Sequence, residues 1–228
     1  MAVYEAAVGA LRHVYDRRVD TPPVLDPQRY FPAHSRFETE WRAISAECAA
    51  LMAEMGAIPE FHELMAEQAP LSRYGGRFWR MFILRAYGAD HRANQARCPV
   101  LRRLLSDHPE VTSATFSILE GGKHIPAHRG PFRGILRYHL PLVIPPPVGG
   151  KPSNRLRVDD VSYPLKEGRG ILWDDTYEHE AWNDSPAPRA VLLLDVFRPE
   201  MSWGLRLLTR GIVAGVGLGW RVTGRGRR

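Results

Sequence analysis

The sequence has only two cysteines, Cys48 and Cys98, and neither belongs to a C-x-x-C pair. Two thiolates cannot build a zinc cage. Two reduced thiols in a cytoplasmic protein is the simpler reading. Long hydrophobic runs are also missing. None approaches the roughly 18–20 apolar residues that span a bilayer, and the longest apolar-plus-glycine run is Gly211 to Trp220. Met1 to Ala10 lacks a basic segment followed by an apolar core, so no secretory signal is expected. There is no internal repeat and no low-complexity segment. Acidic residues stop at Glu200, whereas Arg206, Arg210, Arg221, Arg225, Arg227 and Arg228 follow it. The net charge of +6 therefore sits in residues 201–228, and the rest of the chain is balanced. A pI of 9.6 then describes a tail rather than a basic face, and no nucleic-acid partner is expected.

What is present is an ordinary globular composition, 44% hydrophobic and 25% charged, over 228 residues. That length suits a single domain, 1–228, with helical additions. Residues 1–70 are expected to be the helical N-terminal part, 75–200 the core, and 201–228 a basic, partly apolar tail. Residues 1–16 read as a short helix, and 19–33, with four prolines, as an irregular lead-in. Trp41, Ile44, Cys48, Leu51 and Met55 recur at helical spacing and mark one apolar face over Phe37 to Met55, with Gly56 as a stop. A weaker helical piece covers 60–68, and another covers Pro99 to Leu105. Strands are expected at Arg77 to Leu84, Val111 to Leu119, Ile135 to Ile144, 155–158, 161–165, 170–173, 178–183 and 189–197. Turn signals separate them at Gly121-Gly122, Pro145 to Gly150, Glu167-Gly168 and Asp184-Ser185-Pro186. Many short strands at such spacing indicate an antiparallel sandwich or barrel. Residues 200–220 begin as a helix and become glycine-rich.

The chemistry concentrates at His128, in His128-Arg129-Gly130-Pro131, and at His179, in Asp174-Asp175-Thr176-Tyr177-Glu178-His179. Each follows a strand-like run. Iron(II) in oxygenases is held by imidazoles and usually one carboxylate, with open positions for co-substrate and O2. On a jelly roll the usual order is His-x-Asp and then, about fifty residues on, the second His. Here the two histidines are 51 apart. Gly130 stands where the carboxylate would be, so water, chloride or a neighbouring group must fill that position. Asp174 or Asp175 could orient a ligand or a bound water there. 2-Oxoglutarate has a distal carboxylate, which the planar fork of an arginine binds through two hydrogen bonds. Arg189, ten residues past His179, is the candidate.

These stretches resemble the aspartyl/asparaginyl β-hydroxylase family of Fe(II)- and 2-oxoglutarate-dependent dioxygenases. The resemblance covers roughly residues 75–200. It rests on Phe116-Ser117-Ile118, His128 to Pro131, Leu136-Arg137-Tyr138-His139-Leu140, Leu142 to Pro145, Asp174 to Trp182 and Asp195 to Pro199, all in family order. It implies a mainly β fold, a double-stranded β-helix (cupin-like jelly roll) with flanking N- and C-terminal helices. It also implies that His128 and His179 bind iron and are the catalytic metal ligands. Glycine replaces the usual aspartate in the family's animal enzymes, so Gly130 fits an active variant. By the same carry-over, Ser117 and Arg189 hold the distal 2-oxoglutarate carboxylate, Arg137 and His139 lie by its metal-bound end, and Trp79 lines the pocket. One bacterial branch, the lipid A acyl-chain hydroxylases, is similar over more of the chain, including the lead-in from Leu25 to Phe31 and the basic tail. Gly130 and the lack of an anchoring helix at the start depart from that branch.

Simpler roles stand beside these. Arg137 and Arg189 could be surface arginines, His139 a structural histidine, and Trp79 a core residue. His13, His34, His62, His91, His108 and His124 lack supporting context and are expected to be structural. In the tail, apolar residues between arginines suit a peripheral contact with an anionic membrane through residues 203–228. Gly211, Gly215 and Gly219 form a stripe of the kind found at close helix contacts. The alternative is a helix docked on the domain with a frayed basic end. The expected function is hydroxylation of an unactivated C–H bond with Fe(II), 2-oxoglutarate and O2, in the cytoplasm and at the inner face of the cytoplasmic membrane. A lipid acyl chain, of lipid A or aminolipid type, is the leading substrate. Aspartate or asparagine in a peptide or small metabolite, a non-catalytic binding protein and a chloride-using halogenase remain as alternatives.

Overall fold

The computed structural model describes residues 9, 11 and 13–222. Residues 13–16 are helical; the remainder of the expected helix over 1–16 lies largely outside the described residues, as does the segment read for a secretory signal. Arg225, Arg227 and Arg228 also lie outside them.

Eleven strands form two antiparallel sheets among the described residues. They are β1 (Val24–Leu25), β2 (Trp79–Ala86), β3 (Ala89–Asp90), β4 (Val111–Leu119), β5 (His124–His128), β6 (Ile135–Val143), β7 (Asn154–Val158), β8 (Val161–Pro164), β9 (Ile171–Trp173), β10 (His179–Asn183) and β11 (Arg189–Phe197). The larger sheet runs β1-β9-β6-β11-β4-β2-β3, and the smaller runs β5-β10-β7-β8. Helices α1 (Pro27–Tyr30), α2 (His34–Thr39), α3 (Trp41–Met52), α4 (Phe61–Leu64) and α5 (Ala69–Arg73) precede β2. Helices α6 (Arg92–Ala96) and α7 (Pro99–Asp107) lie between β3 and β4, and α8 (Trp203–Val222) closes the described chain. The architecture is the double-stranded β-helix expected from the sequence, with helices at both ends.

Side chains alternate across a strand, and here the alternation separates packing from chemistry. On one face of the large sheet, Ala114, Phe116, Ile118, Leu136, Tyr138, Leu140, Leu192 and Leu194 pack under Ile44, Cys48 and Leu51 of α3 and Leu101, Leu104 and Leu105 of α7. Each fully buried Leu or Ile there contributes about 1.5–3 kcal/mol. The other face looks into the space between the sheets. It carries Ser117 opposite Val191, Arg137 opposite Asp195, His139 opposite Leu193 and Arg189 opposite Leu119. The central strands are thus buried on both faces, and their polar residues point inward. Arg189 is 1% exposed and His139 4%, so neither is a surface residue.

Several local readings change. The glycines after Gly211 do not end the last helix, which continues to Val222. Docking sustains it: Leu205 packs with Tyr15 and Val19, and Trp220 packs with Leu64 and Ala86. Among the described residues, a Cβ added on Gly211, Gly215 or Gly219 would meet nothing within 4 Å, so that stripe does not mark a close helix contact there. Gly217 does, because its Cβ would sit 2.3 Å from the Tyr87 carbonyl oxygen. Helix α3 stops at Met52, and Gly56 sits in a separate short turn. No helix among the described residues is long and apolar enough to cross a membrane.

Candidate active site

Strands β5 and β10 pair so that His128 lies directly opposite His179. Their rings are 4.0 Å apart between centroids, inclined at 56°. Nδ1 of His128 is 2.8 Å from the Pro126 carbonyl oxygen, and Nδ1 of His179 is 2.9 Å from that of Tyr177. A carbonyl can only accept, so each Nδ1 carries the proton and each Nε2 keeps its lone pair. Burial lowers the pKa of both imidazoles. It does so most for His179, where His128 adds to the effect, and both rings are neutral at neutral pH. Trp173 packs edge-on against His179 at 4.6 Å.

Gly130 lies just past β5, where its N–H donates to the Asp175 carbonyl at 2.6 Å. A Cβ on Gly130 would sit 2.3 Å from the Asp175 carboxyl carbon. The Asp175 carboxylate therefore fills the volume that a side chain at 130 would need. Among the described residues, no three His, Cys, Asp or Glu side chains converge as a metal cage. The donor set is two neutral imidazoles with a carboxylate close by. Such a set fits a soft-to-borderline divalent ion that keeps open positions.

The two aspartates before Thr176 differ in task. Asp174 is fully buried and accepts from Arg133, Arg198 and Thr176, which fixes the turn. Asp175 lines the cavity and pairs with Arg137 at 3.1 Å. Arg137 also holds Asp195, with contacts of 2.8 and 3.3 Å. Burial works against the Arg137 charge, but Asp195 and Asp175 outweigh it and raise its pKa. Burial lifts the Asp175 carboxyl to about 6, against the pull of Arg137.

Deeper between the sheets is a group of unmet hydrogen-bonding capacity. Among the described residues, Nε and Nη1 of Arg189 have no hydrogen-bond partner, and neither has either ring nitrogen of His139 or Nε1 of Trp173. Burial lowers the Arg189 pKa to about 9. Burial also holds His139 well below the ordinary histidine range, with Arg189, Arg137 and His179 adding to it, so His139 feels all three. Native proteins rarely leave a guanidinium buried and unpaired. The cluster fits a carboxylate-bearing guest. Ser117 Oγ accepts from Trp79 Nε1 at 2.9 Å, and Trp79 packs on Phe61 at 4.2 Å.

A cavity of about 330 Å³ opens onto this assembly. His128, His179, Arg137, Asp175, Asp195 and Trp79 line one side of it. Phe61, Met65, Met81, Ile83, Leu193 and Trp220 form an apolar wall. Arg129 stands exposed at the rim. The candidate metal and co-substrate residues fall between the sheets or on this cavity, and so does Asp175, whereas Asp174 is taken up by Arg133, Arg198 and Thr176 and does not line it. Asp195, Trp173 and the apolar wall were not singled out. The alternation of Val191, Leu193 and Asp195 on one strand face was the available signal for Asp195. Nothing local marks Trp220, which arrives from the far end of the chain. His34, His62, His108 and His124 bond to Phe31, Ser72, Glu110 and Glu180, away from the pair.

Residues 38–199 match the family described as aspartyl/asparaginyl beta-hydroxylase. An ornithine lipid ester-linked acyl 2-hydroxylase of Rhizobium tropici is 35% identical over 187 residues, 81% of this chain and 64% of that protein. The human aspartyl/asparaginyl beta-hydroxylase is 31% identical over 173 residues, 72% of this chain and 21% of that protein. The chain thus spans less than two thirds of either relative. A crystal structure of a predicted oxalate decarboxylase from Thermotoga maritima matches with a TM-score of 0.37 and 14% identity, over 55% of this chain and 85% of that one.

Proposed function

The chain belongs to the aspartyl/asparaginyl β-hydroxylase family, a hydroxylase family, and from that premise we propose an Fe(II)- and 2-oxoglutarate-dependent dioxygenase acting on a lipid acyl chain. One observation carries the co-substrate half of this reading: Arg189 is buried between the sheets, and its Nε and Nη1 have no hydrogen-bond partner among the described residues. The apolar wall carries the substrate half, since an extended methylene chain is the guest that such a wall desolvates at little cost.

In this reading the Nε2 atoms of His128 and His179 hold the iron. Arg189 and Ser117 hold the distal carboxylate of 2-oxoglutarate, and Arg137 and His139 lie toward its other end. When bound, iron with 2-oxoglutarate and O2 supplies the oxidising power for an unactivated C–H bond, with succinate and CO2 as by-products. The chain's own work is positional. The Asp175 carboxylate, steadied by Arg137, is an acceptor for a water beside the imidazoles. Phe61, Met81 and Ile83 exclude bulk water and fix which carbon faces the metal. The acyl chain is of lipid A or aminolipid type, the latter favoured by the rhizobial relative. It is reached at a membrane face through residues 203–228.

A second reading has one observation in its favour. Arg129 stands exposed at the cavity rim with no ion pair among the described residues, and it suits the carboxylate of an aspartyl substrate in a peptide or small metabolite. Lipid extracts of cells with and without the protein separate the two. An acyl species heavier by one oxygen supports the first reading, whereas an oxygen gained only by an aspartyl or asparaginyl compound supports the second. Succinate release by the Fe(II)-loaded protein, lost in both His128→Ala and His179→Ala, is expected on either. Full release in both variants would overturn the two-histidine assignment, and none from the native protein with any substrate would leave a binding protein with a jelly-roll fold.

A further inference from the structure

Helix α8 has two faces of different character. Leu205, Thr209, Val213, Gly217 and Trp220 recur every three or four residues and are buried against the domain. The outward face is also apolar. Trp203 is 77% exposed, Leu207 50% and Leu218 63%, and Gly211 and Ala214 lie between them on the same stripe. Of the nine large hydrophobic residues exposed among those described, five belong to this helix. A soluble surface usually scatters such residues singly, so a stripe of them marks a contact site.

Charge decides what the contact is. Residues 201–228 carry six arginines and no acidic residue. A second copy would bring like charge to like charge across the same stripe. An anionic lipid surface brings the opposite charge together with an apolar phase for Trp203 and the leucines. The helix is also unable to span a bilayer, which leaves it lying in the surface plane. Its inner face completes the cavity, because Trp220 lines the same apolar wall as Phe61 and Met81.

We propose that α8 docks the enzyme on an anionic bilayer: Trp203, Leu207 and Leu218 sit in the lipid surface while Trp220 walls the cavity entered by the acyl chain. The docking half stands without the reaction assigned above. The entry half rests on that assignment, and the two are measured separately.

The test uses the full chain and vesicles of phosphatidylcholine with or without phosphatidylglycerol, in the absence of iron and 2-oxoglutarate. Binding is expected to phosphatidylglycerol vesicles, weakening with salt and absent on pure phosphatidylcholine. The double variant Leu207→Glu/Leu218→Glu is expected to lose at least about tenfold in vesicle affinity. Val161→Glu, at a 52% exposed position on β8, serves as the control and is expected to bind as the native chain does. Unchanged thermal melting separates loss of docking from loss of fold. Three results would overturn the proposal: no binding to anionic vesicles, equal loss in both variants, or a lipid-free dimer that the double variant abolishes. Vesicle binding without any hydroxylated acyl product would instead remove the assigned substrate and leave the dock intact.

Discussion

Asp175 and Gly130 share one volume: a Cβ on the glycine would lie 2.3 Å from the aspartate's carboxyl carbon. The position that would carry a metal-binding aspartate is thus vacant by exclusion. The carboxylate nearest that position, Asp175, stands on the facing turn, where Arg137 holds it. Restoring His-x-Asp by one substitution is therefore expected to fail. Gly130→Asp forces the turn apart and should destabilise the metal-free protein by about 1–3 kcal/mol. The exchange Gly130→Asp/Asp175→Gly should recover most of that loss. Chemical denaturation of the three proteins checks this, and a fully stable Gly130→Asp single variant would refute the exclusion.

Arg189 gives a prediction of opposite sign. Its guanidinium is buried with two nitrogens unpartnered. Arg189→Met is expected to stabilise the metal-free protein, by about 1–3 kcal/mol, while abolishing 2-oxoglutarate binding. Calorimetry with 2-oxoglutarate and thermal melting without it are the two measurements. Lower stability in Arg189→Met would mean that the arginine is a structural ion partner.

Arg137 should behave in the contrary way. It holds two carboxylates, Asp175 and Asp195, in a partly buried site. Arg137→Met strands both and is expected to cost about 3 kcal/mol at neutral pH. The loss should shrink as pH falls through about 6 and Asp175 takes up its proton. A pH-independent loss would point to packing instead.

Asp175 sets a stability slope of its own. Burial raises its pKa from 3.8 to about 6. Between those values the folded chain holds a proton that the unfolded chain has released, so this group's contribution becomes less favourable as pH rises from about 4 to 6. Above about pH 6 the full penalty applies. The melting temperature of the metal-free native protein, relative to Asp175→Asn, should therefore fall across that window and level off beyond it. A difference that rises across the window would reverse the assignment.

Much of the fold was readable in order along the chain. Val111 to Leu119 and 189–197 are strands to the residue, because β-branched and aromatic residues with turn signals on both sides leave little choice. The two-residue strands β1 and β3 were not readable. Each exists only because a neighbouring strand offers a free edge, Trp173 for Val24 and Arg85 for Asp90. The last helix was readable only at its start. Its glycines weaken it locally, and docking of Leu205, Val213 and Trp220 restores what propensity lacks.

By itself the sequence determined where most of the strands lie along the chain, though not β5 at His124–His128, and it marked the pair His128 and His179, the arginine after them and the missing carboxylate at Gly130. These follow from residue type and spacing, which no folding step alters. Tertiary structure alone decided the rest. It set Asp175 in the space beside Gly130, left Arg189 without an ion pair among the described residues, turned Arg137 and His139 inward, and brought Trp220 from the far end of the chain to the cavity. Each depends on which groups meet across two sheets, and burial makes those meetings count, because a charge removed from water must find a partner or keep a place for one.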